Sequence, residues 1–228
     1  MLNLMRLEMS KHRMGSYVIG AVIANLVIAL LVVLIGAVEG EHAYRGWEDA
    51  FSAIDAFSKS TFIVFGGVLL SRLVIDEYRN KTISLLFTYP VGRRKLLTAK
   101  LLLVGLWTFF SILFTDLWVT CIFLVMNTQL DMLADSLTQE LLTGQMIQFL
   151  LQAAGAAGMS LIPLYFGMKR KSAGATIVSS VLIVLVVCSN SGGFSLSSII
   201  AIPLSLAAIG VLIAYLSIRN VYRQDILE

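Results

Sequence analysis

Six long apolar runs divide the chain, separated by shorter stretches that carry most of its charge. They cover about 17–38, 58–75, 101–126, 143–168, 173–189 and 197–218. A helix needs roughly 20 apolar residues to cross a bilayer core. Each run is continuously apolar rather than alternating, which predicts membrane helices and not the strands of a barrel. The expected fold is all-α, a polytopic membrane protein of six transmembrane helices forming one transmembrane domain over residues 1–228. The first run exceeds the short apolar core of a signal peptide and lacks a convincing cleavage site after it, so it reads as a retained helix.

Composition agrees with this pattern. Hydrophobic residues make up 58% of the 228 and charged residues 14%, and a soluble domain of this size has too much surface to hide so much apolar area. The net charge is only +3, but its distribution is informative. Arg6, Lys11, Arg13, Arg79, Lys81, Arg93, Arg94, Lys95, Lys100, Lys169, Arg170, Lys171, Arg219 and Arg223 fall in one alternating set of connections. The other set holds only Arg45 and Lys59, together with the acidic Glu39, Glu41, Glu48, Asp49, Asp55, Asp131, Asp135 and Glu140. The positive-inside rule then places both termini in the cytoplasm of a cell whose plasma membrane the chain crosses.

The polar pieces are short. Residues 1–16 read as an amphipathic helix on the inner surface, with Leu2, Met5 and Met9 on one face and Asn3, Arg6, Ser10 and Arg13 on another. In the first outer loop, Trp47, Phe51 and Ile54 at i, i+4, i+7 suggest an interfacial helix. The longest inner connection, residues 76–100, has two halves. Its first part, to Phe87, has helical spacing, with Tyr78, Ile83, Leu86 and Phe87 apolar and Glu77 and Lys81 a favourable i, i+4 pair. Pro90 ends that helix, and Tyr89 before it is pushed out of the helical region. A short helix held on the membrane surface with a mixed charged and apolar face suits docking to a soluble partner. An ordinary basic loop obeying the charge rule would read the same way.

The stretch Glu77-Tyr78-Arg79-Asn80-Lys81-Thr82-Ile83, then Leu85-Leu86-Phe87-Thr88-Tyr89-Pro90-Val91 and Arg93-Arg94-Lys95-Leu96-Leu97-Thr98-Ala99-Lys100, resembles the signature of ABC-2 type permeases. These are the membrane subunits of bacterial ABC exporters, and the resemblance is greatest to small permeases linked to bacitracin resistance, lantibiotic immunity and peptide-toxin export. It implies two permease subunits, alike or different, working with two cytoplasmic ATPase subunits that bind ATP and Mg. It also implies that the connection between spans 2 and 3 is a coupling helix seated on the ATPase. Glu77, Tyr78, Arg79, Lys81, Thr82, Ile83, Leu86 and Phe87 would carry that contact. Residues 1–16 would be the family's connecting helix. The chain departs from the sterol- and drug-exporting branch in having only Asn190 to Leu196 before its last span. It has no Gly-x-x-x-x-Gly-Lys-Ser/Thr loop, so hydrolysis belongs to a partner.

Within the spans, Asp116 stands as the acidic residue deep in the third, and Gln145, Gln148 and Gln152 share a helical face of the fourth. An intramembrane carboxylate marks a functional hypothesis. These residues form either a polar stripe facing the translocation path or subunit interface, or a hydrogen-bonded tie that holds the bundle together. The run Ala153-Ala154-Gly155-Ala156-Ala157-Gly158 predicts close helix packing, or a hinge. Cys121 and Cys188 lie in apolar runs without metal or disulfide spacing, and His12 and His42 fall on opposite sides of the membrane, so no metal site is expected. A lone aspartate without histidine nearby does not make an intramembrane protease. Neither the pattern nor the resemblance points to nucleic acid. The alternative to an exporter subunit is a passive channel or membrane scaffold, which needs no coupling helix.

Overall fold

The computed structural model describes residues 15–39, 44, 46–79, 93–130, 133, 138–188, 190–191, 194–195 and 201–224. Residues 1–14 of the amphipathic segment lie outside these, as do His42, Arg45 and residues 80–92. The described chain is helical. Helix α1 covers Gly15–Glu39 and α2 Trp47–Leu70, which continues through a π-helical turn, Ser71–Ile75, into α3, Asp76–Arg79. Then come α4, Arg93–Leu130, α5, Gln139–Met159, α6, Pro163–Arg170, α7, Ala173–Val187, and α8, Ala201–Gln224. Two-residue strands β1, Asn190–Ser191, and β2, Phe194–Ser195, pair antiparallel in the link before α8.

Five stretches are long and apolar enough to cross a bilayer: 15–38, 47–75, 95–129, 139–170 and 202–219. The fifth expected span, α7, has 15 residues, about 22 Å of helix, short of the usual bilayer core. The chain is thus a multi-pass membrane protein, and its described residues form six main helical stretches, five of them long and apolar enough to cross a bilayer.

The second pass begins at Trp47, well before the Ser58 expected from hydropathy. Glu48, Asp49, Asp55 and Lys59 depress the hydropathy of this stretch, but helix continuity does not depend on hydropathy. Trp47, Phe51 and Ile54, read as part of a separate interfacial helix, form the buried face of α2's first turns. Asp55 and Lys59, assigned to an outer loop, lie inside the helix and are buried. Likewise α4 takes in Arg93 to Lys100, which had been given to the inner connection. The fourth pass breaks at Ser160–Ile162, where Pro163 supplies no backbone N–H. There Leu161 and Ile162 donate to the carbonyls three residues back, Gly158 and Met159, at 3.1 and 3.0 Å.

Helix α2 is the centre of the bundle, packed by α1, α4, α5, α6 and α7. The α2 pass and the α5–α6 pass are the most enclosed, 56% and 67% buried over their most apolar stretches, against 22% for α1 and 17% for α8. Outward faces such as Ile19, Leu30, Phe110, Leu185 and Leu212 are exposed and apolar, as lipid requires. Helix α8 lies along α5 and α6. Its approach is close because a Cβ at Gly158 would strike Ala207, and one at Gly210 would strike the Gly158 carbonyl. The small-residue run in α5 therefore serves packing.

Candidate functional site

Two polar places interrupt the apolar bundle, and α2 contributes to both.

The first lies between α2, α4 and α5. Helical spacing sets Asp55, Ser58 and Lys59 on one face of α2. The Lys59 side chain is fully buried; its Nζ lies 2.6 Å from Asp55 Oδ2 and donates to Gln152 Oε1 of α5 at 3.2 Å. Asp116 of α4, also fully buried, has Asp55, Ser58 and Lys59 as polar neighbours. Neither Asp116 oxygen meets hydrogen-bond geometry, nor do Asp55 Oδ1, Ser58 Oγ and Thr120 Oγ1. Thr115 beside Asp116 turns its hydroxyl back to the Ser111 carbonyl at 2.7 Å. Aromatic rings close the group toward the start of α2: Trp47 and Tyr44 pack edge-on to Phe123 at centroid distances of 6.0 and 5.7 Å, and Phe51 meets Phe149 at 6.3 Å. On the other side stand Phe62, Ile63, Ile112 and Met159. Two carboxylates and one ammonium are thus enclosed by apolar side chains. In such surroundings charges are tolerated only when paired or hydrogen-bonded.

The second place is the other end of α2. Lys100 of α4, 2% exposed, reaches back across the bundle. Its Nζ lies 2.5 Å from Glu77 Oε2 and donates to the Leu73 carbonyl at 2.9 Å. Leu73 lies in the π-helical turn, where the wider hydrogen-bond ladder alters which carbonyls are satisfied within the helix. On another side, Ile75 packs so tightly on Gly167 of α6 that a Cβ there would strike both Ile75 and Thr176. Around this end lie exposed Arg72, Lys95, Lys169, Arg170, Lys171 and Arg219, while Glu48, Asp49 and Glu140 are exposed at the opposite end. The polypeptide turns from α6 into α7 at Lys171, which adopts a left-handed conformation with φ 46°.

The structure brings Asp116 and Gln152 to one locus and adds Asp55 and Lys59, so Asp116 is not alone. Gln152 accepts from Lys59. The glutamines of α5 do not share one environment: Gln152 is buried, Gln145 half-buried and Gln148 exposed. Of the segment expected to couple to an ATPase, Glu77 is described in full, and Tyr78 and Arg79 by backbone alone. Lys81, Thr82, Ile83, Leu86 and Phe87 lie outside the described residues. Sequence reasoning missed Lys59, Asp55 and Lys100 as interior residues. A signal was present for the first two: the register of Trp47, Phe51 and Ile54 continues through Ser58 and Phe62 without a helix breaker, with Asp55 and Lys59 at pairing distance.

Among known protein families, the model described as ABC-2 family transporter protein matches residues 4–187. The uncharacterized protein YcbO of Bacillus subtilis (strain 168) is 45% identical over 227 residues, covering 98% of this chain and 100% of YcbO. No solved structure gives a significant match.

Proposed function

The chain belongs to the ABC-2 transporter family, and from that premise we propose that it is the permease subunit of an ATP-driven exporter. A second permease copy or a related chain completes the pathway, and two cytoplasmic ABC ATPases bind ATP and Mg and hydrolyse the nucleotide. The cargo is an amphipathic or hydrophobic compound, with an antimicrobial or toxin peptide as the specific candidate.

One observation carries the reading: the family match runs from residue 4 to 187, straight through the segment 76–100 that resembles a coupling helix, in a sequence with no nucleotide-binding loop of its own. The separation of exposed charge supports the orientation. Basic side chains gather where α3 leaves and α4 returns, and acidic ones at the far end, so the positive-inside rule puts residues 80–92 in the cytoplasm, within reach of a soluble ATPase. The burial of Asp55, Lys59, Asp116 and Gln152 within a single chain supports a holding role for them over a pathway-lining one.

The test is to tag the chain, extract it gently from its native membrane and weigh what co-purifies. A stoichiometric ABC ATPase, lost on Arg79→Ala with Phe87→Ala while the permease stays folded, is the expected result. Absence of any ATPase under several mild extractions sinks the reading and brings the channel or scaffold alternative forward.

A further inference from the structure

We propose that Glu77 and Lys100 form an internal latch that positions the coupling segment, so that Glu77 acts through Lys100 and not by touching the ATPase. The inference rests on the exporter reading above and assigns a different role to one residue of its coupling segment.

Two described stems flank residues 80–92 in the sequence. One is α3, four residues long and joined to α2 through the π-helical turn; the other is the start of α4 at Arg93. A π-turn interrupts the regular ladder, and such turns recur at functional sites. Left alone, a single helical turn beyond this break would transmit little of a push made on it. Lys100 removes that freedom. One ammonium holds the Leu73 carbonyl inside the turn at 2.9 Å and the Glu77 carboxylate beyond it at 2.5 Å, so the two stems are pinned together close to where the segment departs. The pair is largely sheltered, with side-chain exposures of 3% and 14% for Lys100 and Glu77. It is therefore screened far less than a surface pair such as Arg72–Asp76, which stands at 4.0 Å with Arg72 66% exposed. A carboxylate turned inward onto a buried lysine is not presented to a soluble partner. With the latch closed, displacement of residues 80–92 moves α2 and α4 as one body; with it open, the segment moves and the helices lag.

The experiment purifies the full complex with its ATPase into lipid nanodiscs for the native chain, Glu77→Gln, Lys100→Met and the reversed pair Glu77→Lys/Lys100→Glu. Two quantities are read: ATPase bound per permease, and ATP hydrolysis per complex above that of the isolated ATPase. The latch predicts that every form keeps the native ATPase ratio. It also predicts that each single change lowers the excess hydrolysis by about tenfold, within the range of typical coupling between sites, and that reversal restores most of it. A merely stabilising ion pair would leave hydrolysis per assembled complex at the native level in both single variants, which overturns the proposal. Loss of the ATPase from Glu77→Gln but not from Lys100→Met would show direct contact with the partner and also overturns it. A native preparation that brings down no ATPase fails earlier, before any substitution, and overturns the exporter reading itself.

Discussion

Replacing Lys59 by Met tests the central claim about the bundle, that a charged residue read as belonging to a loop is an interior tie. The ammonium lies 2.6 Å from Asp55 and 3.2 Å from Gln152, with no exposed surface. Met nearly matches the lysine stem in volume, so the substitution leaves little cavity and isolates the polar effect. Asp55 would be left buried with no partner at Oδ2, and its Oδ1 already has none. Breaking a buried ion pair from one side costs about 3–5 kcal/mol. For a chain of this length that lowers the unfolding midpoint by roughly 6–20 °C. The effect should largely vanish in Asp55→Leu/Lys59→Met, because exchanging a whole buried pair for apolar side chains is about neutral or favourable. Loss of the Lys59 donor to the Gln152 oxygen offsets part of that gain, at about 0.5–1.5 kcal/mol. Midpoints of the detergent-purified protein, followed by intrinsic tryptophan fluorescence, give the comparison. A Lys59→Met protein as stable as the native one would put Lys59 in water and refute the packing of α2. A double variant as unstable as the single would refute the pairing.

Three further outcomes follow from the same geometry. Gly158→Ala should cost about 1–3 kcal/mol through overpacking against Ala207, whereas Gly105→Ala, with nothing within 4 Å of the added carbon, should raise the thermal midpoint slightly through better helix propensity. Asp116→Asn should hold or raise that midpoint, since it removes one of two carboxylates buried around a single ammonium; a large fall would mean that Lys59 and Ser58 hold the charge in place. With Cys121 and Cys188 replaced by alanine, Glu140→Cys should react with an impermeant maleimide on intact cells and Lys171→Cys only after lysis; the reverse would invert the orientation.

Much of the architecture was legible because lipid imposes simple demands. A span must be apolar and its backbone satisfied within itself, so α1, α4, α5 and α8 announce themselves by hydropathy. The small residues at 153–158 likewise foretold close helix packing, and the structure shows that α8 is the helix that packs there. What stayed hidden follows from the same rule used too strictly. A hydropathy window penalises Asp55 and Lys59 as though each met lipid alone, yet at i, i+4 on a central helix they meet each other and Gln152. Lys100 was hidden for a different reason. Its position among Arg93, Arg94 and Lys95 made it look like another residue of the basic edge, and only the antiparallel packing of α2 on α4 turns it inward. Partners distant in sequence, Lys59 with Gln152 and Lys100 with Glu77, cannot be read from local pattern.

The distribution of burial separates the two roles that intramembrane polar residues can have. In the proposed pair of permease copies, a pathway between them would be lined by side chains that a single copy leaves exposed. Asp116, Lys59 and Asp55 are enclosed within one copy, behind Trp47, Phe51 and Phe123 at one side and Phe62 and Ile112 at the other. Water or cargo could reach them only by parting α2, α4 and α5, and the contact of α2 with α4 is one of the most extensive in the bundle. That contact is pinned at its middle by the polar group and near its basic end by Lys100. The polar residues of α2 therefore read as fastenings of one rigid α2–α4 unit. The surfaces that touch cargo should be sought on outward faces, where Gln148 is exposed on α5 in a bundle whose outward faces are otherwise largely apolar.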